Sequence, residues 1–309
     1  MLEPELKQKI HSLWQRFYDN NFANTFKVVE QMSYLIFFMR LEVTDEEKID
    51  AAKRNGTKYT SIFKDHEDCK WSHFKQITDA EEMLEHVRDN VFPFVKNLDQ
   101  GKDTLFTKYM KNASLEIVVP SLLEEAVGTL DSINITSHSH DVQGDIYEEL
   151  IGHLGTTGMN GQFRTPRHII QMMVEMINPQ VGETVCDPAC GTAGFLFNAY
   201  EHIKRQNTSE ELLKEGKIVG DKIVDTRHWE ILNNETYYGF DGEDDMVRIA
   251  VLNMILHGID EPNIVKPIGG SLSKNFDQKN KKYDIILANP PFSGSMNTSD
   301  VNENFKINT

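Results

Sequence analysis

The first 130 residues repeat apolar positions at intervals of three and four with charges between them, the period of amphipathic helices. "QKIHSLWQRFYDN", "FKVVEQMSYLIFFMRLE", "DAEEMLEHVRDNVFPFVKNL" and "SLLEEAVGTLDSI" each show it, whereas "VTDEEKIDAAKRNGTKY" between the second and third reads as an exposed polar connection with room for a short helix. From residue 150 the texture changes. "LIGHLGTTGMNGQFRTP" crowds Gly152, Gly155, Gly158 and Gly161 into one loop, as a backbone that must bend tightly or approach something closely requires. After it, β-rich runs alternate with helical ones. "ETVCD" (183–187) precedes a helix from Ala193 to Arg205, and "TYYGFD" (236–241) precedes "EDDMVRIAVLNMILHG". "NIVKPI" (263–268) and "YDIILA" (283–288) complete four strands.

This βαβαβ order predicts a parallel, doubly wound sheet. The fold class is therefore α/β: an all-helical domain (1–135), a Gly-rich linker and covering loop (136–165), and a Rossmann-like domain (166–309) holding the first four strands. Such sheets commonly carry more strands, so the one encoded here reads as incomplete.

Composition narrows the class. The content is 39% hydrophobic and 26% charged, as in globular proteins. "YLIFFM" is too short to span a bilayer, and no basic-then-apolar leader opens the chain. The cysteines, Cys69, Cys186 and Cys190, are odd in number and suggest a reducing, cytoplasmic setting. With 48 acids against 32 bases the formal charge is −16. A protein that grips a duplex unaided usually carries a basic footprint, so a nucleic-acid substrate would have to be held mainly by another chain.

Ligands of open α/β sheets sit beyond the carboxyl ends of the strands, and those ends carry the candidate chemistry. Asp187 ends the first strand, Pro188 stops further pairing, and Gly191 and Gly194 let backbone amides approach a ligand. The glycine spacing is neither the dinucleotide pattern nor a phosphate-binding loop. Asp241 ends the second strand, where an acid can take both hydroxyls of a ribose; Glu243, Asp244 and Asp245 also make it a plain helix-capping region. Asn289-Pro290-Pro291-Phe292 ends the fourth strand. An exocyclic amine needs its lone pair freed from the ring before it can act as a nucleophile. The Asn289 side chain and the Pro290 carbonyl are suited to accept its two N–H bonds while Phe292 stacks on the ring. A strand-terminating turn is the structural alternative.

Thr165-Pro166 has the form of an N-cap followed by a first helical residue, leading into an apolar stripe of Ile169, Ile170, Met173, Val174 and Ile177. No metal is expected. Cys186 and Cys190 lack a second Cys/His pair, His66 and Cys69 read as surface residues, and His138 and His140 as linker.

Taken together, "GQFRTP", "DPACGTAGFL", "GFD" and "NPPF" resemble the S-adenosylmethionine-dependent N6-adenine DNA methyltransferases, most closely the modification subunit of type I restriction-modification systems. "FKVVEQMSYLIFFMRLE" resembles that subunit's first long helix. The resemblance implies that Gly161, Gln162, Phe163, Arg164, Thr165 and Pro166, with Gly191, Thr192 and Ala193, contact the methionine part of S-adenosylmethionine. Asp241 would hold its ribose and Asp187 would support the loop. Asn289, Pro290, Pro291 and Phe292 would receive a flipped adenine.

It also implies a specificity subunit, a second modification subunit and a restriction subunit as partners, with duplex DNA bound through the complex. Two departures stand out. Gly270 occupies a place where related enzymes often carry an acid, and the sequence ends after the loop that follows "NPPF". The expectation is a fragment with a weakened fold and little activity alone. Two other readings remain open: a non-catalytic assembly module, and a methyltransferase acting on RNA guanine or protein glutamine.

Overall fold

The computed structural model describes residues 4–20, 22, 24–98, 110, 113–133, 146–147, 149–152, 165–259, 261–276, 281–291 and 299–301. The chain divides into two compact units, Met1–Thr157 and Gly158–Thr309.

The first unit is helical. Helix α1 (Pro4–Asp19) buries Ile10, Leu13, Trp14 and Phe17, one face at helical spacing. Helix α2 (Thr25–Asn55) starts where the Asn24 side chain accepts the Phe26 N–H and stops at Gly56, whose φ of 66° lets the chain leave left-handed. The polar stretch at 43–59 is mostly exposed, as expected, but instead of a separate short helix it continues α2 as far as Asn55. Its polar residues anchor the neighbouring segments: Asp45 accepts from the Tyr59 hydroxyl, the Ser61 hydroxyl and the Ile62 N–H, and Glu42 accepts from the Ser72 N–H.

The stretch Val28–Met39 is buried, so this first half of the helix is covered on all sides, as a mostly apolar helical segment requires. Its buried polar groups are satisfied. Gln31 accepts from the Glu116 N–H and donates to the Ser114 carbonyl, and Glu30 takes bonds from Tyr34 and Lys27.

Helix α3 (Trp71–Phe74) comes after a 3-10 turn at Glu67–Cys69. Helix α4 (Ala80–His86) is capped by Asp79, and a π turn, Val87–Val91, then leads into α5 (Phe92–Lys96). Pro93 accounts for that turn, since its missing N–H and its ring cannot continue a regular ladder. Helix α6 (Pro120–Ser132) closes the bundle. Asp131 on it accepts from the Trp71 indole N–H and from Lys75.

In the second unit α7 (Arg167–Ile177) precedes strand β1 (Val185–Asp187), and after it come α8 (Gly194–Gln206), α9 (Glu210–Lys214) and α10 (Thr226–Asn234). Then come β2 (Tyr237–Phe240), α11 (Asp244–Leu256), β3 (Asn263–Val265) and β4 (Ile285–Ile286). The strands lie in the order β3-β2-β1-β4, all pairs parallel. The chain winds outward from β1 to β3 and then jumps back to place β4 on the other side of β1. That reversal is the switch point at which doubly wound sheets bind ligands.

The sheet is clothed by the apolar faces of α8 and of α11, whose residues from Met246 to Leu256 are buried except Arg248. At its start β4 is locked to β1: Thr184 donates to Asp284 through its N–H and its hydroxyl, and returns an acceptor to the Asp284 N–H. The stripe expected on α7 is narrower than its sequence implies. Ile170 and Val174 are buried, whereas Ile177 is half exposed. No helix among the described residues is long and apolar enough to cross a membrane.

Candidate active site

The carboxyl ends of β2, β1 and β4 lie side by side, and the chain leaving each carries one of the residues singled out above. After β1 the backbone turns through Pro188 to Ala193 before α8 begins. Gly191 (φ 52°) and Ala193 (φ 64°) both sit in the left-handed region, the second at a cost for a residue with a Cβ. The loop is held from several sides. The Cys190 N–H bonds the Phe240 carbonyl at the end of β2, and the Ala193 N–H bonds the Cys190 carbonyl. Asp187, fully buried, accepts from the Ala189 N–H.

Asp241, one residue beyond β2, ties the two ends together. One carboxylate oxygen accepts the Gly191 N–H at 3.1 Å and the other the Glu243 N–H at 3.0 Å. Each oxygen keeps a lone pair for a ligand. Burial raises the Asp241 carboxyl above its ordinary range despite these N–H bonds. Burial also pushes Asp187 up to about 7; the Ala189 N–H opposes that shift and the neighbouring Asp241 charge adds to it.

The floor is close-packed. A Cβ on Gly239 would lie 3.0 Å from both Cys190 Sγ and Leu196 Cδ1, so a larger residue in β2 would have to push those side chains aside. Above the loop there is room, since a Cβ on Gly191 or Gly242 would meet nothing within 4 Å. Helix α8 begins without a side-chain cap, which leaves its first N–H groups facing the loop.

On the other side of β1, Leu287 donates its N–H to the Cys186 carbonyl, and Ala288 and Asn289 continue past the β1 end. Asn289 is half-buried, and Pro290 and Pro291 are exposed. Asp187, Gly191, Thr192, Ala193, Asp241, Asn289, Pro290 and Pro291 thus share one sheet edge.

Thr165 and Pro166 lie apart from that edge in the chain, at the start of α7. There the expected cap is displaced by one residue. Pro166, with ψ of 138°, is itself the N-cap and its carbonyl accepts the Ile169 and Ile170 N–H bonds, so Thr165 is outside the helix. Ile170 nevertheless reaches the site's floor, its Cδ1 lying 3.2 Å from where a Gly194 Cβ would stand. Gly161, Gln162, Phe163, Arg164 and Phe292 lie outside the described residues, as do His138 and His140.

Two contributors were not expected from the sequence. Asn253, wholly buried on α11, donates to the Thr192 carbonyl at 2.6 Å, and its own side-chain oxygen has no hydrogen-bond partner among the described residues. An asparagine in the otherwise apolar run "AVLNMIL" was the available signal. Ser271, beside Gly270, donates to the Pro188 carbonyl at 2.8 Å, bringing the end of β3 onto the same loop. Cys186 and Cys190 are packing residues: burial pushes the Cys186 thiol up to about 12 and that of Cys190 well above its ordinary value. Cys69, read as a surface residue, is buried.

The sheet and the helical unit each match a known family. The family model described as N-6 DNA Methylase matches residues 138–309, and that described as HsdM N-terminal domain matches residues 6–130. The chain belongs to the N-6 DNA methylase family. Among individual proteins, it is 30% identical over 238 residues to the type I restriction enzyme EcoEI methylase subunit of Escherichia coli, covering 73% of this chain and 44% of that one. To the EcoKI methylase subunit of Escherichia coli K12 it is 28% identical over 213 residues, covering 66% and 38%. The chain thus spans less than half the length of these curated relatives.

A solved structure concerned with complex assembly and conformational transition of the type I R-M system superposes with a TM-score of 0.65 at 25% identity, covering 95% of this chain and 56% of that one. A modification subunit of a putative type I restriction enzyme from Vibrio vulnificus YJ016 superposes with a TM-score of 0.66 at 20% identity, covering 94% and 62%. The second likeness establishes the fold: a helical N-terminal region followed by a mostly parallel methyltransferase sheet.

Proposed function

We propose that the chain binds S-adenosylmethionine at the carboxyl edge of its sheet and methylates the N6 amine of a flipped adenine in duplex DNA, as part of a type I modification complex. The observation that carries this reading is the bond from Gly191 to Asp241, which joins the β1 loop to the end of β2 beside the Asn289-Pro290-Pro291 turn.

The residues suit the cofactor. Asp241 has a free lone pair on each oxygen for the two ribose hydroxyls, the space over Gly191 and Gly242 is open, and the uncapped start of α8 offers N–H groups to a carboxylate. Gly161 to Pro166 would cover the methionine part, and Thr192 and Ala193 would line it. Asp187 holds the turn through the Ala189 N–H.

When bound, S-adenosylmethionine supplies an electrophilic methyl group on a sulfonium. The chain's own work is done at the adenine amine. The Asn289 oxygen and the Pro290 carbonyl accept its two N–H bonds, drawing the lone pair out of conjugation. These bonds strengthen as N6 gains positive charge, and the amine proton then leaves to solvent. Phe292 would stack on the base.

The acidic charge of −16 supports DNA being held mainly by partners: a specificity subunit that reads the sequence, a second modification subunit, and a restriction subunit in the full complex.

The test is transfer of a labelled methyl group to duplex DNA by the chain with its specificity subunit, and the same assay with Asn289→Ala. The reading expects N6-methyladenine with the parent chain and at least roughly a hundredfold loss in the variant, with cofactor binding retained. Transfer to RNA or to protein glutamine instead, or bound cofactor with no transfer at all, would overturn it.

A further inference from the structure

Away from the sheet, the helical unit gathers three metal-binding side chains on a single turn. Asp65 takes a φ of 66°, reversing the chain under Phe63, and the 3-10 turn Glu67–Cys69 comes next, closed by the bond from the Cys69 N–H to the His66 carbonyl. The consequence is that an imidazole nitrogen of His66, a carboxylate oxygen of Asp68 and the Cys69 sulfur all lie within 4.8 Å of one another, the one such group of three among the described residues. Ligands on a tetrahedral zinc ion stand roughly 3.3–3.8 Å apart, from bond lengths of about 2.0–2.3 Å. Small side-chain rotations close that gap.

The surroundings are those of a built site. All three residues line a cleft of about 440 Å³ whose other walls include Asp89, Asn90, Phe94 and Asn97. The His66 ring rests against Phe94, with centroids 5.2 Å apart. The turn itself is braced from outside: Asn90 donates to one nitrogen of the His86 ring at 3.0 Å, which leaves the other nitrogen to donate to the Asp68 carbonyl at 2.9 Å. That outer bond fixes the backbone carrying two of the three donors, as hydrogen bonds behind the ligands do in metal sites.

We propose that His66, Asp68 and Cys69 form a zinc site with three protein ligands and a fourth position open to the cleft. Thiolate, imidazole and carboxylate together favour zinc over magnesium or calcium, which take oxygen ligands. Binding replaces the Cys69 thiol proton, which passes to solvent. The ion would lock the turn from Asp65 to Cys69 in one conformation.

The test uses the whole chain freed of metal, titrated with Zn²⁺ against a chromophoric chelator and with Co²⁺ followed by absorbance. The expected result is one equivalent of Zn²⁺ at submicromolar affinity, a thiolate-to-cobalt charge-transfer band, and a melting temperature raised by Zn²⁺. Cys69→Ser should abolish the band. His66→Ala and Asp68→Asn, at exposed positions that the fold tolerates, should each weaken Zn²⁺ binding at least about tenfold. Cys186→Ser should leave it unchanged. Absence of stoichiometric Zn²⁺ binding, or binding unaltered in His66→Ala, overturns the proposal.

Discussion

The Gly191 N–H donates to the Asp241 carboxylate at 3.1 Å, so two loops that leave different strands, 50 residues apart in the chain, are fixed to each other by one charge-assisted bond. Asp241 is in this sense part of the scaffold as well as the proposed ribose-binding group. Asp241→Asn keeps one acceptor oxygen and turns the other position into a donor facing an N–H. It should cost about 1.5–3 kcal/mol in stability, by the usual worth of a hydrogen bond to a charged group. Denaturant unfolding of the two chains measures the difference.

Asn253 makes a parallel case from beneath the loop. Asn253→Ala leaves the half-buried Thr192 carbonyl without its donor, and the expected loss is about 1–3 kcal/mol. Because the carbonyl belongs to the same loop, S-adenosylmethionine affinity should fall in step. Unchanged affinity in a destabilised variant would show that Asn253 supports the fold alone.

At Gly239 the expected effect is overpacking. Gly239→Ala brings a methyl group to 3.0 Å from Cys190 Sγ and Leu196 Cδ1, at an expected cost of about 1–3 kcal/mol. Gly242→Ala, where the added atom meets nothing within 4 Å, should cost far less. Paired thermal melts of the two variants check this.

Asp187 predicts a pH dependence. Its folded value near 7 lies above the ordinary 3.8, so the folded state holds the proton more tightly than the unfolded state. Stability from this group is full below about pH 4 and is lost as pH rises towards 7, with a slope approaching about 1.4 kcal/mol per pH unit. Asp241, raised in the same direction, adds to the trend. Asp187→Asn should flatten the stability profile of the free chain between about pH 4 and 7, and an unchanged profile would remove Asp187 as its source.

Much of this arrangement was legible in the sequence. The alternation of β-rich and helical runs pointed to the parallel sheet because a strand buried on both faces must be apolar throughout, and "VCD" and "YYGF" are nearly so; "IILA" reads the same way in the sequence, yet Ile286 is 63% exposed. The acids and prolines stood out because they interrupt such runs. The features that stayed hidden were set by tertiary partners. The second half of α2 is polar, and reads as helix only once Asp45 and Glu42 are seen to hold the segments that pack beside it. The signal that was present was Gly56, a helix stop placed after "AAKRN". Pro166 became the cap rather than the first helical residue through its ψ angle, which proline leaves free. The approach of His66, Asp68 and Cys69 depends on a left-handed Asp65, which no spacing rule anticipates.

The central claim is that the β1–β2 edge is an S-adenosylmethionine site organised by Asp241. Calorimetric titration of the purified chain with S-adenosylmethionine tests it most directly, with Asp241→Ala measured beside it and folding of both followed by thermal melting. The predicted result is micromolar binding to the parent chain and at least roughly a tenfold weakening in a variant that still melts cooperatively. Equal affinity in the two folded proteins, or no binding to a folded parent chain, would contradict it.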